Sequence, residues 1–130
     1  MGTREAISTD GAPAAAGPYS QAIRAGELVF TAGQLGVDPT SGELVDGGTP
    51  VQAERALANL RAILEAAGSG MDRLVKVTVY LADIGDWSAV NEVYVRAVPE
   101  PFPARSAFAV KDLPKGALVE IEAVATVGVG

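Results

Sequence analysis

Residues 119–126 read VEIEAVAT, and no other run limits the possible folds as tightly. Strand side chains alternate faces, so Val119, Ile121, Ala123 and Ala125, continued by Val127, share one side. Glu120, Glu122, Val124 and Thr126 share the other. Packing alone does not explain two carboxylates on one face of a mid-sheet strand. Just upstream, 102–111 reads FPARSAFAVK, and the short link between the two runs predicts a strand pair joined by a turn. Placing Phe108 and Val110 with Val119 and Ile121 keeps both apolar sets together, since a slip of one residue would reverse every side chain. That register puts Arg105, Ala107 and Ala109 beside Glu120 and Glu122. An arginine and a glutamate then flank a floor of alanines, the shape of a small anion site. A salt bridge at a subunit interface is the other reading of the same pair.

Earlier in the chain, residues 1–10 are mixed and polar, an edge strand or a frayed end. Asp10 to Gly17 is a loop of small residues, and Pro18 then fixes its own φ and biases Gly17 away from the helix region. Tyr19 follows, either presented by this hinge or half-buried at a strand start. Gln21 to Ala25 and Leu28 to Ala32 read as a hairpin around Gly26-Glu27, with glycine first as a type II′ turn requires. Gly33 ends the second strand, as a bulge or where backbone must approach a ligand closely. A turn-rich loop spans 37–48.

The span Thr49 to Gly68 predicts a helix, with Thr49 as N-cap, Pro50 at N1, Gln52 closing a capping box and Gly68 as the stop. Ala53, Ala56, Leu57, Leu60, Ile63, Leu64 and Ala67 form its apolar stripe, and Glu54, Arg55, Asn59, Arg61 and Glu65 its outer face. Arg73 to Leu81 is a strand with Val75, Val77, Val79 and Leu81 inward. Asp83 or Asp86 caps a second helix, whose Trp87, Val90, Val93, Tyr94, Ala97 and Val98 line one side, with Asn91 off that stripe. Three prolines, 99, 101 and 103, then forbid continuation. Six strands and two strand–helix–strand crossovers imply one mixed sheet with both helices on one face. The other face, with Lys76, Tyr80, Arg105, Glu120 and Glu122, is wet or covered by another copy of the chain.

The residue inventory narrows the chemistry. The 130 residues, one domain by length, contain neither cysteine nor histidine, so the commonest base and metal ligand are missing. Catalysis must use carboxylate, tyrosine, lysine, arginine, hydroxyl or backbone groups. A net charge of −6 and a pI near 4.5 disfavour nucleic acid. No run reaches the ~18 apolar residues of a membrane span, and no signal segment is visible, so a cytoplasmic protein is expected.

The segments AAAGPY (14–19), TAGQ (31–34), NLRAILEAAG (59–68), Leu74–Leu81, Val90-Asn91, FPARS (102–106), Leu113-Pro114 and VEIEA (119–123) occur together in order. In them the chain resembles the RidA (YjgF) family of enamine/imine deaminases over about 120 residues. The resemblance implies a chorismate-mutase-like α+β fold in a homotrimer, with sites in the clefts between subunits and no cofactor or metal. It implies hydrolysis of enamines and imines such as 2-aminoacrylate to 2-keto acid and ammonia. It places the carboxylate-binding arginine at Arg105, the water-positioning glutamate at Glu120, a pocket tyrosine at Tyr19 and a pocket-adjacent asparagine at Asn91. Gly33 and the Ala107 backbone join the substrate site. Ala32 and Ala107 stand where the family often has serine and cysteine. Glu122 is read as structural. A non-catalytic, carboxylate-sensing trimer and a ribonuclease or translation inhibitor are the competing readings.

Overall fold

The computed structural model describes residues 3–127. The strands are β1 (Arg4–Ile7), β2 (Ala22–Ala25), β3 (Leu28–Thr31), β4 (Gln34–Leu35), β5 (Leu74–Leu81), β6 (Ala104–Ala109) and β7 (Val119–Thr126). Helix α1 (Thr49–Ala66) lies between β4 and β5 in sequence, and α2 (Trp87–Ala97) between β5 and β6. All seven strands form one mixed sheet in the order β1-β2-β3-β7-β5-β6, with β4 also paired to β7. This is the expected α+β architecture, with β4 added to the six anticipated strands.

β7 is the organising strand, and its alternation is realised: Val119, Ile121, Ala123 and Ala125 are buried while the residues between them are half-buried. Leu57 and Leu60 of α1, Val90, Val93 and Tyr94 of α2, and Val77, Val79 and Leu81 of β5 pack on that face. Both helices therefore cover the same side. Each fully buried aliphatic side chain here is worth about 1.5–3 kcal/mol against exposure. The opposite face has no helix over it. It exposes Leu28, Phe30 and Phe108, and Tyr80 meets Phe108 edge-on with ring centroids 5.4 Å apart.

The β2–β3 hairpin turns at Gly26-Glu27 as expected, with Gly26 at φ 62°. α1 ends at Gly68, whose φ of 83° only glycine takes without strain.

Several expectations give way. β6 does not form a hairpin with β7. It pairs parallel with β5, which lies between them. The α2 crossover brings the chain back beside β5 in the same direction, and the 110–118 link then carries it past the end of β5. Arg105 stands opposite Val77, and Ala107 opposite Val79, so both face the helices. Phe108 shares the open face with Tyr80 and Glu120. The register is the reverse of the one expected, because Phe108, though apolar, lies exposed on the open face.

The capping box is also absent. Gly48 occupies the N-cap position, the Thr49 hydroxyl donates to Asp86 Oδ2 at 2.6 Å, and Gln52 Oε1 accepts from the Leu118 amide at 2.9 Å. Both side chains tie α1 to other elements instead of to its own first turn. Asp83 caps the short turn 84–86 through the Gly85 amide, while Asp86 precedes α2 without a side-chain cap. Val75 is exposed, because the register slips between Leu74 and Lys76 and bulges it outward.

Candidate functional site

The features that could carry chemistry fall in two places on opposite sides of the sheet. The first is a cleft of about 650 Å³ at the start of β7, lined by Tyr19, Ala32, Gly33, Leu35, Lys115 and Glu120 among others. A register change makes its floor. β3 pairs Phe30 with Val124, whereas β4 pairs Gln34 with Ile121, so residues 31–33 lie opposite only 122 and 123. The extra residue is a bulge, and bulges re-aim side chains beside sites. Here the bulge brings the Gly33 backbone against Glu120. A Cβ on Gly33 would fall 1.9 Å from Glu120 Oε2 and 2.8 Å from Cδ. The carboxylate thus lies in the space that any side chain at 33 would take. Of the two readings of Gly33 the bulge is realised, and the group its bare backbone accommodates is the Glu120 side chain.

Burial pushes the Glu120 carboxyl pKa up, and the nearby Glu122 charge adds to that. Glu122 itself stands beside Tyr80, whose hydroxyl pKa is raised by burial first and then by that neighbouring charge. A carboxylate with a raised pKa, half out of water and beside open backbone, is suited to accept a proton from a water molecule.

Tyr19 stands at the edge of this cleft, 55% exposed, and its hydroxyl accepts from the Ala16 amide at 3.3 Å in its own loop. The cleft wall is held from behind by Asn59, which is fully buried instead of lying on the outer face of α1. Its amide donates to Leu35 O at 3.2 Å and Val37 O at 2.9 Å, and its Oδ1 accepts from Arg55 Nε. Its spacing contained the signal: Asn59 lies three residues after Ala56 and four before Ile63, on the apolar stripe.

The second place is the α2 side of β6, the edge strand. The Arg105 guanidinium lies 4.8 Å from the Tyr94 ring centroid and 5.4 Å from that of Trp87. Asn91 lies between these two on the same helix face, four residues from one and three from the other. Ala107 packs against the core beside Val79. Among the described residues Arg105 makes no ion pair. Within one chain, Tyr19, Gly33 and Glu120 are therefore together, Arg105, Asn91 and Ala107 are together, and β5 separates the two sets. Among the described residues no three Asp or Glu side chains cluster as metal ligands would, and no described helix is long and apolar enough to cross a membrane.

The chain thus carries, on an α+β scaffold, a glycine-floored cleft with one carboxylate and, on a sheet edge, an arginine without an ion pair among the described residues. The comparisons give that arrangement a family. The model described as Endoribonuclease L-PSP matches residues 9–127. Proteins named 2-iminobutanoate/2-iminopropanoate deaminase are 54% identical in Capra hircus and 50% identical in Homo sapiens. Each match spans 96% of this chain and 91% of the relative. RidA from the Antarctic bacterium Psychrobacter sp. PAMC 21119 superposes with a TM-score of 0.91 at 48% identity, covering 94% of this chain and 98% of that one. E. coli TdcF, solved with bound serine, gives 0.88 at 38% identity over the same shares. The chain belongs to the Endoribonuclease L-PSP family, the family of RidA and YjgF.

Proposed function

We propose that this protein hydrolyses 2-imino acids, the tautomers of enamines such as 2-aminoacrylate, to 2-keto acids and ammonia. The observation that carries it is the Glu120 carboxylate lying over bare backbone at Gly33 inside a cleft, in a chain half identical to proteins named for that reaction. Arg105 holds the substrate carboxylate through its planar fork of N–H donors. Glu120 takes a proton from water as the oxygen bonds to C2, the C=N electron pair moves to nitrogen, and Glu120 returns that proton to the nitrogen. Glu120 then takes the hydroxyl proton of the carbinolamine and passes it to the amine as the C–N bond breaks, leaving C=O, ammonia and the free carboxylate. Tyr19 closes the cleft. Imine hydrolysis is intrinsically easy, so positioning provides most of the gain, and neither metal nor cofactor is required.

Because β5 separates Arg105 from Glu120, the complete site needs two chains: the Arg105 edge of one meets the Glu120 cleft of the next. A homotrimer does this and covers the apolar face bearing Leu28, Phe30 and Phe108. The cytoplasm is the compartment this reading assigns, and neither nucleic acid nor membrane is a partner.

The test is keto acid and ammonia release from 2-aminoacrylate generated in situ, run beside Arg105→Ala and Glu120→Gln, with sedimentation to read the assembly. No acceleration by the wild type, or full activity in Arg105→Ala, overturns the proposal. The family's description favours one further assay, RNA cleavage by highly purified protein. A net charge of −6 and the absence of histidine argue that it will be negative.

A further inference from the structure

The two rings beside Arg105, Trp87 and Tyr94, have no part in the reaction as written. We infer that Trp87 and Tyr94 are positioning residues, holding the Arg105 guanidinium through its π-face so that its N–H edge stays free for the substrate carboxylate. The inference rests on the proposed role of Arg105 as carboxylate anchor.

A guanidinium has two faces and an edge. Its five donors all lie in the plane, at the edge. A carboxylate partner would occupy those donors and compete directly with a ligand. An aromatic ring instead attracts the charge over its face and uses no donor. Arg105 has the second kind of neighbour, Tyr94 at 4.8 Å and Trp87 at 5.4 Å, and no ion pair among the described residues. The two rings differ in role. Tyr94 is 4% exposed and built into the core under β6, so it is a fixed floor. Trp87 is 39% exposed at the first position of α2, so it is the wall toward solvent. An arginine on an edge strand otherwise samples many rotamers and has that side-chain entropy to lose on binding. Holding it beforehand lowers that cost, which preorganisation converts into affinity.

The composition supplies the assay, since Trp87 is the only tryptophan in the chain. Wild-type indole emission is titrated with 2-oxobutanoate, a keto acid of the product class, and binding is measured in parallel by calorimetry. The expected result is a saturable emission change with the calorimetric Kd. Trp87→Leu keeps apolar bulk but removes the π-face, and should weaken Kd by roughly tenfold, with the larger share of the kinetic loss in KM. Trp87→Phe restores a ring and should recover most of the affinity. Packing alone would not separate leucine from phenylalanine. Calorimetric binding with silent emission, or equal Kd values for the leucine and phenylalanine variants, overturns the inference and leaves the proposed function standing. If Trp87→Leu fails to fold, the wild-type titration and the Trp87→Phe affinity decide it. No calorimetric binding and no deaminase activity in the wild type overturns both.

Discussion

Replacing Gly33 with alanine is the sharpest perturbation this site offers. The added methyl would lie 1.9 Å from Glu120 Oε2 and 2.8 Å from Cδ. Ordinary contact begins near 3.4 Å, so the carboxylate must retreat by about 1.5 Å. A misplacement of about 1 Å in a reacting group costs on the order of 100-fold in rate, which is about 2.7 kcal/mol of barrier. Stability should barely register the change. Gly33 does not occupy the left-handed region, so alanine fits its backbone, and the clash is with the free end of a side chain in an open cleft. Loss of unfolded-state entropy should contribute about 0.4–1 kcal/mol in favour of the variant. The prediction is a roughly 100-fold fall in kcat/KM with an unchanged or slightly raised Tm. Keto acid release from 2-aminoacrylate generated in situ measures the first, and calorimetric melting the second. Wild-type turnover in Gly33→Ala would show that the position of Glu120 over the bulge is not what catalysis uses. A collapsed Tm would show that Gly33 serves the fold instead.

Other outcomes follow from the same geometry. Glu120 has its pKa raised above 4.5 by burial and by Glu122, so protonation favours the folded state. Its stabilising contribution is present below that value and is lost as pH rises through the raised pKa. Glu120→Gln should therefore be more stable than the wild type at neutral pH, the difference vanishing in denaturant titrations below pH 4.5. In the wild type, kcat/KM should fall as pH drops through the same raised pKa. Asn59→Ala leaves the Leu35 and Val37 carbonyls without their donor. It should cost about 1–3 kcal/mol in urea unfolding and raise KM as the cleft wall loosens. The Tyr94 hydroxyl is buried with no hydrogen-bond partner. Tyr94→Phe should be neutral or stabilising by up to about 1 kcal/mol, and a clear loss of Tm would reveal a partner such as a buried water.

The parts of the fold legible in the sequence are those fixed by local pattern. The β7 alternation, the Gly26-Glu27 turn, the α1 stripe and its Gly68 stop each follow from neighbours within a few residues. Pairing across distance was harder to read. Nothing local in 102–111 says that its partner is β5, 30 residues earlier, in place of β7 just ahead, and both choices satisfy a period of two. The apolar face of that strand misleads for a physical reason: Phe108 is apolar yet 45% exposed, on the face of the sheet that no helix covers. Thr49 and Gln52 fit a capping box locally, but tertiary partners Asp86 and Leu118 outcompete the first turn. Of the proposed site, Glu120, Arg105, Tyr19 and Gly33 stand out in the sequence as residues. Their division between two sides of the sheet does not, because it depends on the strand order.

That division has a genetic consequence. In the proposed assembly Arg105→Ala and Glu120→Gln damage halves of the site that come from neighbouring chains, so the two defects should be complementary. Co-refolding two inactive variants in equal amounts should regenerate intact pairs at about one site in four, the chance that one subunit supplies a sound arginine and the next a sound glutamate. Lesions on the same side of the sheet, such as Gly33→Ala with Glu120→Gln, should never rescue each other. The pattern of rescue among pairs of mutants would map which face each residue serves.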